Sequence, residues 1–334
     1  MSVKYIRYAA TIALILALFV VMLGAYTRLT DAGLGCPDWP GCYGHMVLPD
    51  AGKKLLSAQQ QFPDTPVEPR KAWTEMAHRY AAGTLALLIL FIGFASLRKH
   101  LQDGQSPWQL PVLLMLLVVF QAALGMWTVT LKLLPIVVMS HLLGGILIFS
   151  CLCRLRLQLS QVKPLALPAL HTAIIIGCII VFYQIALGGW VSANYAGIAC
   201  IGFPQCNGQW LPEMHVSQGF NLFSAIGTNY QGGVLDNDVR VTIQFIHRLG
   251  AIITAVYTLA LAIWTLVKID NKNVRFAAGA ALLLVIGQFS LGIMNVVYLL
   301  PLPVAVAHNG VAALLFATML MLAYLTRGKT RYAN

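Results

Sequence analysis

Eight long apolar runs order this chain, at roughly 9–27, 72–97, 108–130, 136–153, 167–190, 241–267, 276–298 and 303–325. Most carry no charge. Each is long enough to cross about 30 Å of hydrocarbon as a helix of about 20 residues. Barrel strands would show short alternating segments instead. The first run is too long for the apolar region of a signal peptide and lacks a small-x-small cleavage site, so it too reads as a helix. Two polar stretches are long, roughly 28–71 and 191–240, and the other connections are short. Loops of that length carry function or fold locally.

The pattern repeats at an offset of about 165 residues. LGAYTRLTDAGLGCPDWPGC (23–42) aligns with LGGWVSANYAGIACIGFPQC (187–206), and EMAHRYAAG (75–83) with QFIHRLGAI (244–252). QAALGMWTVTLKLLPIVVMSHLLGG (121–145) aligns with QFSLGIMNVVYLLPLPVAVAHNGVA (288–312). An even number of spans per half makes the repeat parallel, with its axis along the membrane normal. The expected fold is an all-α membrane protein whose eight transmembrane helices form two pseudo-symmetric four-helix bundles, residues 1–160 and 161–334.

Composition agrees with the runs. Of 334 residues, 59% are hydrophobic and 10% charged, against about 25% charged in an ordinary soluble domain. A soluble globular enzyme and a disordered chain are excluded. The net charge of +11 would suit nucleic acid, but its placement tells otherwise. With the N-terminus inside, 13 of 22 basic residues fall on the inner side, among them Lys4, Arg7, Arg154, Arg156, Lys329 and Arg331, and seven on the outer side. This bias fits the positive-inside rule with both termini inside. The charge is a topology signal, and no nucleic-acid partner is expected.

Four of the eight histidines obey the repeat: His78, His141, His247 and His308. Each lies six or seven residues into a helix entered from outside, which is roughly 10 Å below the outer end. Polar side chains at that depth are costly and face an interior site. Two imidazoles at one level on two helices of a bundle is the arrangement bis-His haem ligation needs. Zinc would want three or four ligands. His45, His100, His171 and His215 break the repeat.

The halves differ at one telling position. Glu75 precedes His78 by three residues, on the same helix face, and its counterpart is Gln244. Glu75 is the only acidic residue inside an apolar run. A carboxylate beside a haem can position water, accept a proton or stabilise developing positive charge; a carboxamide only hydrogen-bonds. The first half then does chemistry and the second holds a redox cofactor. Arg79 and Arg248 directly follow two of the histidines. Haem propionates pointing outward would pair with them, and so would the outer headgroups by snorkelling.

Cys36 and Cys42 are six apart in the first outer loop, and Cys200 and Cys206 six apart in the second. On the oxidising side of a membrane such pairs can form small-loop disulfides, bracing the loop or relaying electrons. There is no CxxCH motif, so covalent haem attachment is not supported. Trp39 and the prolines at 37 and 40 stiffen the first loop.

Taken together, EMAHR (75–79), GLGCPDWPGC (33–42), HRLG (247–250) and the late His308 resemble the haem A synthase family over almost the whole chain. The resemblance implies a bacterial inner-membrane oxidoreductase of cytochrome oxidase biogenesis, with its long loops on the periplasmic side. It would convert a methyl group of haem O to a formyl by way of a hydroxymethyl stage. It further implies that His78 and His141 ligate the substrate haem, that Glu75 is the catalytic carboxylate, and that His247 and His308 hold a haem b cofactor. Cys36–Cys42 and Cys200–Cys206 would be loop disulfides. The haem O-making farnesyltransferase and an electron acceptor are the implied partners, and a homo-oligomer is compatible with all of this. The competing reading is a dihaem b-type electron carrier, but such carriers stack haems at different depths within one bundle. A transporter with a buried proton relay is weaker, since no charged residue lies near the midplane.

Overall fold

The computed structural model of the chain describes residues 2–47, 53–63 and 65–328. Lys329 and Arg331, counted above on the inner side, lie outside the described residues. Among the described residues, eight helices are long and apolar enough to cross a membrane: α1 (Val3–Leu29), α3 (Pro69–Asp103), α4 (Gln109–Thr130), α5 (Pro135–Leu159), α6 (Pro168–Ala193), α8 (Asn237–Lys268), α9 (Lys272–Val297) and α10 (Leu302–Thr326). Two further helices, α2 (Lys53–Gln61) and α7 (Val216–Gly219), lie in the two long loops. Among the described residues there are no strands, only isolated bridges.

The sequence sets these boundaries locally. Proline stands in the first turn of α3, α5, α6 and α10, where its missing N–H costs nothing. The Asn271 side chain caps α9 by accepting the N–H groups of Asn273 and Val274, and Gly104 closes α3 in the left-handed region at φ 67°. Several helices outrun their apolar stretches. The spanning helices α1 and α3 run from Val3 and to Asp103, because a helix continues into the headgroup region, where polar side chains are solvated.

Helix α1 packs against α3 and α5, and α4 closes that ring by packing against the same two. Helix α6 packs against α8 and α10, and α9 closes the second ring in the same way. The rings meet through α5 with α6, and through α10 with α1 and α5. Ala9, Ala13, Ala17, Val21 and Ala25 are buried along one stripe of α1, four residues apart. Small side chains at that spacing let helices approach closely where hydrophobic burial gives no advantage over lipid.

One end of the bundle is tied by the chain itself. The Leu165 N–H donates to the Leu325 carbonyl and the Gly328 N–H to the Leu165 carbonyl, both at 2.7 Å. Arg156 of α5 donates to Thr11 of α1 at 2.9 Å. At the other end, the second long loop reaches over the first ring. Tyr230 is buried with Leu124, Leu133, Leu134 and Val137, and its N–H donates to the Lys132 carbonyl at 3.0 Å.

Candidate functional site

Glu75 and Gln244 are both buried, at 4% and 6% exposure, but they face the loops with opposite polarity. One Glu75 oxygen accepts the backbone N–H of Cys36 at 2.8 Å. The other pairs with Arg79, one turn further along α3. Gln244 instead donates from Nε2 to the Gly197 carbonyl at 3.4 Å. Gly35 makes the close approach possible: a Cβ there would stand 2.6 Å from the Lys71 carbonyl carbon.

Both cysteine pairs are disulfides, Cys36–Cys42 and Cys200–Cys206. The Asp38 carboxylate accepts the N–H groups of Tyr43 and Gly44 at 2.6 and 2.9 Å. Tyr43 donates to the Pro66 carbonyl at 3.1 Å. Burial, aided by nearby acids, pushes the Tyr43 phenol up, so it donates as a neutral hydroxyl. Each arginine that follows a histidine reaches into its disulfide loop. Arg79 donates to the carbonyls of Asp38 (2.9 Å), Pro40 (3.3 Å) and Gly41. Arg248 donates to those of Gly202 (2.8 Å), Gln205 (3.2 Å) and Cys200. These partners carry no signature in the sequence, because every residue offers a backbone carbonyl.

The structure brings His78 and His141 together, with ring centres 6.4 Å apart. An imidazole nitrogen binds a transition metal at about 2 Å and lies about 1 Å from its ring centre, so two rings facing across one metal atom have centres about 6 Å apart. The Nδ1 atoms of His78, His141 and His308 are buried without a hydrogen-bond partner among the described residues. Among those residues no group of three or more His, Cys, Asp or Glu converges as a metal site. A donor set of two imidazoles suits an iron whose other ligands come from a macrocycle.

Each of the four histidines lies against a glycine of a neighbouring helix. A Cβ on Gly24, Gly125, Gly188 or Gly292 would stand 2.9, 3.2, 3.0 or 3.3 Å from Cε1 of His78, His141, His247 or His308. One turn before three of these glycines stands a glutamine. Gln121 donates to the His141 carbonyl at 2.6 Å and Gln184 to the His247 carbonyl at 2.9 Å. The Gln288 side-chain nitrogen lies 3.1 Å from His308 Nε2. The fourth position, four residues before Gly24, is Val20. This Gln-x-x-x-Gly pattern was legible in the sequence as a polar residue inside an apolar run.

His247 and His308 line one cavity of about 670 Å3, together with Arg28, Arg240, Arg248 and Phe289. That volume is in the range of small-molecule and cofactor sites. The histidines outside the repeat have local partners: His100 Nδ1 lies 3.0 Å from the Ser106 carbonyl, His171 Nδ1 3.2 Å from the Thr326 hydroxyl, and His215 3.7 Å from Glu213. The His45 N–H donates to the Cys42 carbonyl within the first loop.

The sequence pattern of the cytochrome oxidase assembly proteins COX15-CtaA matches residues 7–320. The chain belongs to the haem A synthase family. It is 46% identical over 320 residues to the haem A synthase of Shewanella oneidensis, covering 94% of each chain. It is 31% identical over 333 residues to that of a Chelativorans species, covering 90% and 85%. With the haem A synthase of Shouchella clausii it shares 28% identity over 327 residues, covering 94% and 95%.

Proposed function

We propose that this chain makes haem A, oxidising a methyl group of haem O to a formyl through a hydroxymethyl stage. The observation that carries this reading is Glu75, a buried carboxylate three residues before His78, whose counterpart in the other half is only a carboxamide. Residues 1–160 form the catalytic half and residues 161–334 the cofactor half, both termini face inward, and the long loops lie on the periplasmic side of the inner membrane.

His78 and His141 hold the substrate haem. Methyl plus water becomes hydroxymethyl, releasing two protons and two electrons. Hydroxymethyl becomes formyl, releasing two more of each, and all four electrons pass to an external electron acceptor. Glu75 takes protons from the water and stabilises positive charge developing at the reacting carbon. A carboxylate has about four lone-pair sites. Arg79 and the Cys36 N–H occupy two of them, which aims the group and leaves acceptor capacity for water. His247 and His308 would hold haem b, which supplies reversible one-electron redox chemistry.

The test is the pigment of the purified chain from membranes that supply haem O. Haem b together with haem O or haem A is expected. Haem b alone would make the chain an electron carrier, and no haem at all would overturn the reading.

A further inference from the structure

Arg240 stands on α8 seven residues before His247. Seven residues are two helical turns, about 10 Å, on one face. The Arg240 side chain lines the second-half cavity, and its Nε has no hydrogen-bond partner among the described residues. Arg28, carried by α1 of the other half, lines the same cavity. Its guanidinium stacks 3.9 Å over the Tyr195 ring and donates to the Ser192 carbonyl at 2.5 Å. An acid, Asp31, lies 3.6 Å from it but is half exposed, and the Arg28 Nε is buried without a partner among the described residues. Arg248 lines the cavity as well, yet its terminal nitrogens are engaged by the loop carbonyls.

The first half does not repeat this arrangement. The counterpart of Arg240 is Lys71, which pairs with Glu68 at 3.0 Å. The counterpart of Arg28 is Ser192. Guanidinium groups beside an apolar cavity call for an anion, and their planar fork fits carboxylates.

We propose that Arg240 and Arg28 form a dicarboxylate-binding rim of the second-half cavity, taking the two acid groups of the tetrapyrrole held by His247 and His308. This rests on the reading of that histidine pair given above. The rim makes the second site the one that retains its pigment. At the equivalent positions the first half has only Lys71, already paired with Glu68, and the uncharged Ser192, so the first site exchanges its pigment, as a substrate site must.

The experiment is transfer of pigment from the loaded, detergent-solubilised full chain to excess apomyoglobin. The chain is loaded with ferric protoporphyrin IX or with its dimethyl ester. Wild type should release the diacid in a fast and a slow phase, and His247→Ala should abolish the slow one. Arg240→Gln should speed the slow phase about tenfold or more, the size expected for a charge-assisted hydrogen bond, and Arg240→Lys should restore most of the retention. The ester should leave wild type quickly, with no further effect of Arg240→Gln; this arm needs no variant to fold. Equal retention of diacid and ester by wild type, or equal acceleration of both by Arg240→Gln, overturns the rim while leaving the histidine pair in place. A wild type that takes up no bis-His haem overturns both.

Discussion

The Glu75 carboxylate accepts the backbone N–H of Cys36 at 2.8 Å. The acid is thus held by the first residue of a disulfide loop, and loop and acid move together. Cys36→Ser with Cys42→Ser removes the bridge, a loss of about 2 kcal/mol, and frees the loop. Haem A formation should fall while total haem content changes little. The matching pair Cys200→Ser with Cys206→Ser touches no carboxylate, so it should lower haem b retention instead. Pigment extraction and chromatography of both variants measure this. Equal effects on the two pigments would sink the distinction.

Glu75→Gln keeps a hydrogen-bonding group of the same shape in the same place and matches the residue at Gln244. It should cut conversion of haem O by about 100-fold or more, the scale of a lost general base, with unchanged bis-His absorbance. Haem A accumulating at the normal rate would remove Glu75 from the chemistry.

The glycines facing the histidines predict a graded series. Gly24→Ala and Gly188→Ala place a methyl 2.9 and 3.0 Å from an imidazole carbon, and Gly125→Ala and Gly292→Ala 3.2 and 3.3 Å. Overpacking of this kind costs about 1–3 kcal/mol. The first two should lose more haem per chain than the last two. Gly279→Ala, which meets nothing within 4 Å, should lose none. Reduced-minus-oxidised spectra of the purified variants give the order.

Tyr230 links the second loop to the first half. Tyr230→Ala empties a buried aromatic site and should cost about 3 kcal/mol, exposing the segment around 208–235 to limited proteolysis. Tyr230→Phe loses only the hydroxyl donated to the Ala225 carbonyl at 2.6 Å, about 1 kcal/mol, and should resist cleavage nearly as wild type does.

Hydropathy marked where the eight spans lie because lipid reads side chains directly. It did not mark where the helices stop. The residues from Arg98 to Asp103 are polar enough to leave the apolar run, yet they continue α3. The repeat singled out four histidines, and their depth paired His78 with His141, whose ring centres lie 6.4 Å apart. The loop contacts were hidden for a different reason. Arg79 and Arg248 bind carbonyl oxygens, and those carry no residue signature. Arg28 was also hidden, because it serves a cavity in the half of the chain to which it does not belong.

Arg28 donates to the carbonyl of Ser192, and the two are counterparts in the repeat. Were the halves separate identical chains, that meeting point would hold the same side chain twice, and two guanidinium groups would repel each other. Covalent fusion lifts this constraint. One copy can become a cation while its counterpart keeps an uncharged side chain, so the contact across the junction is asymmetric.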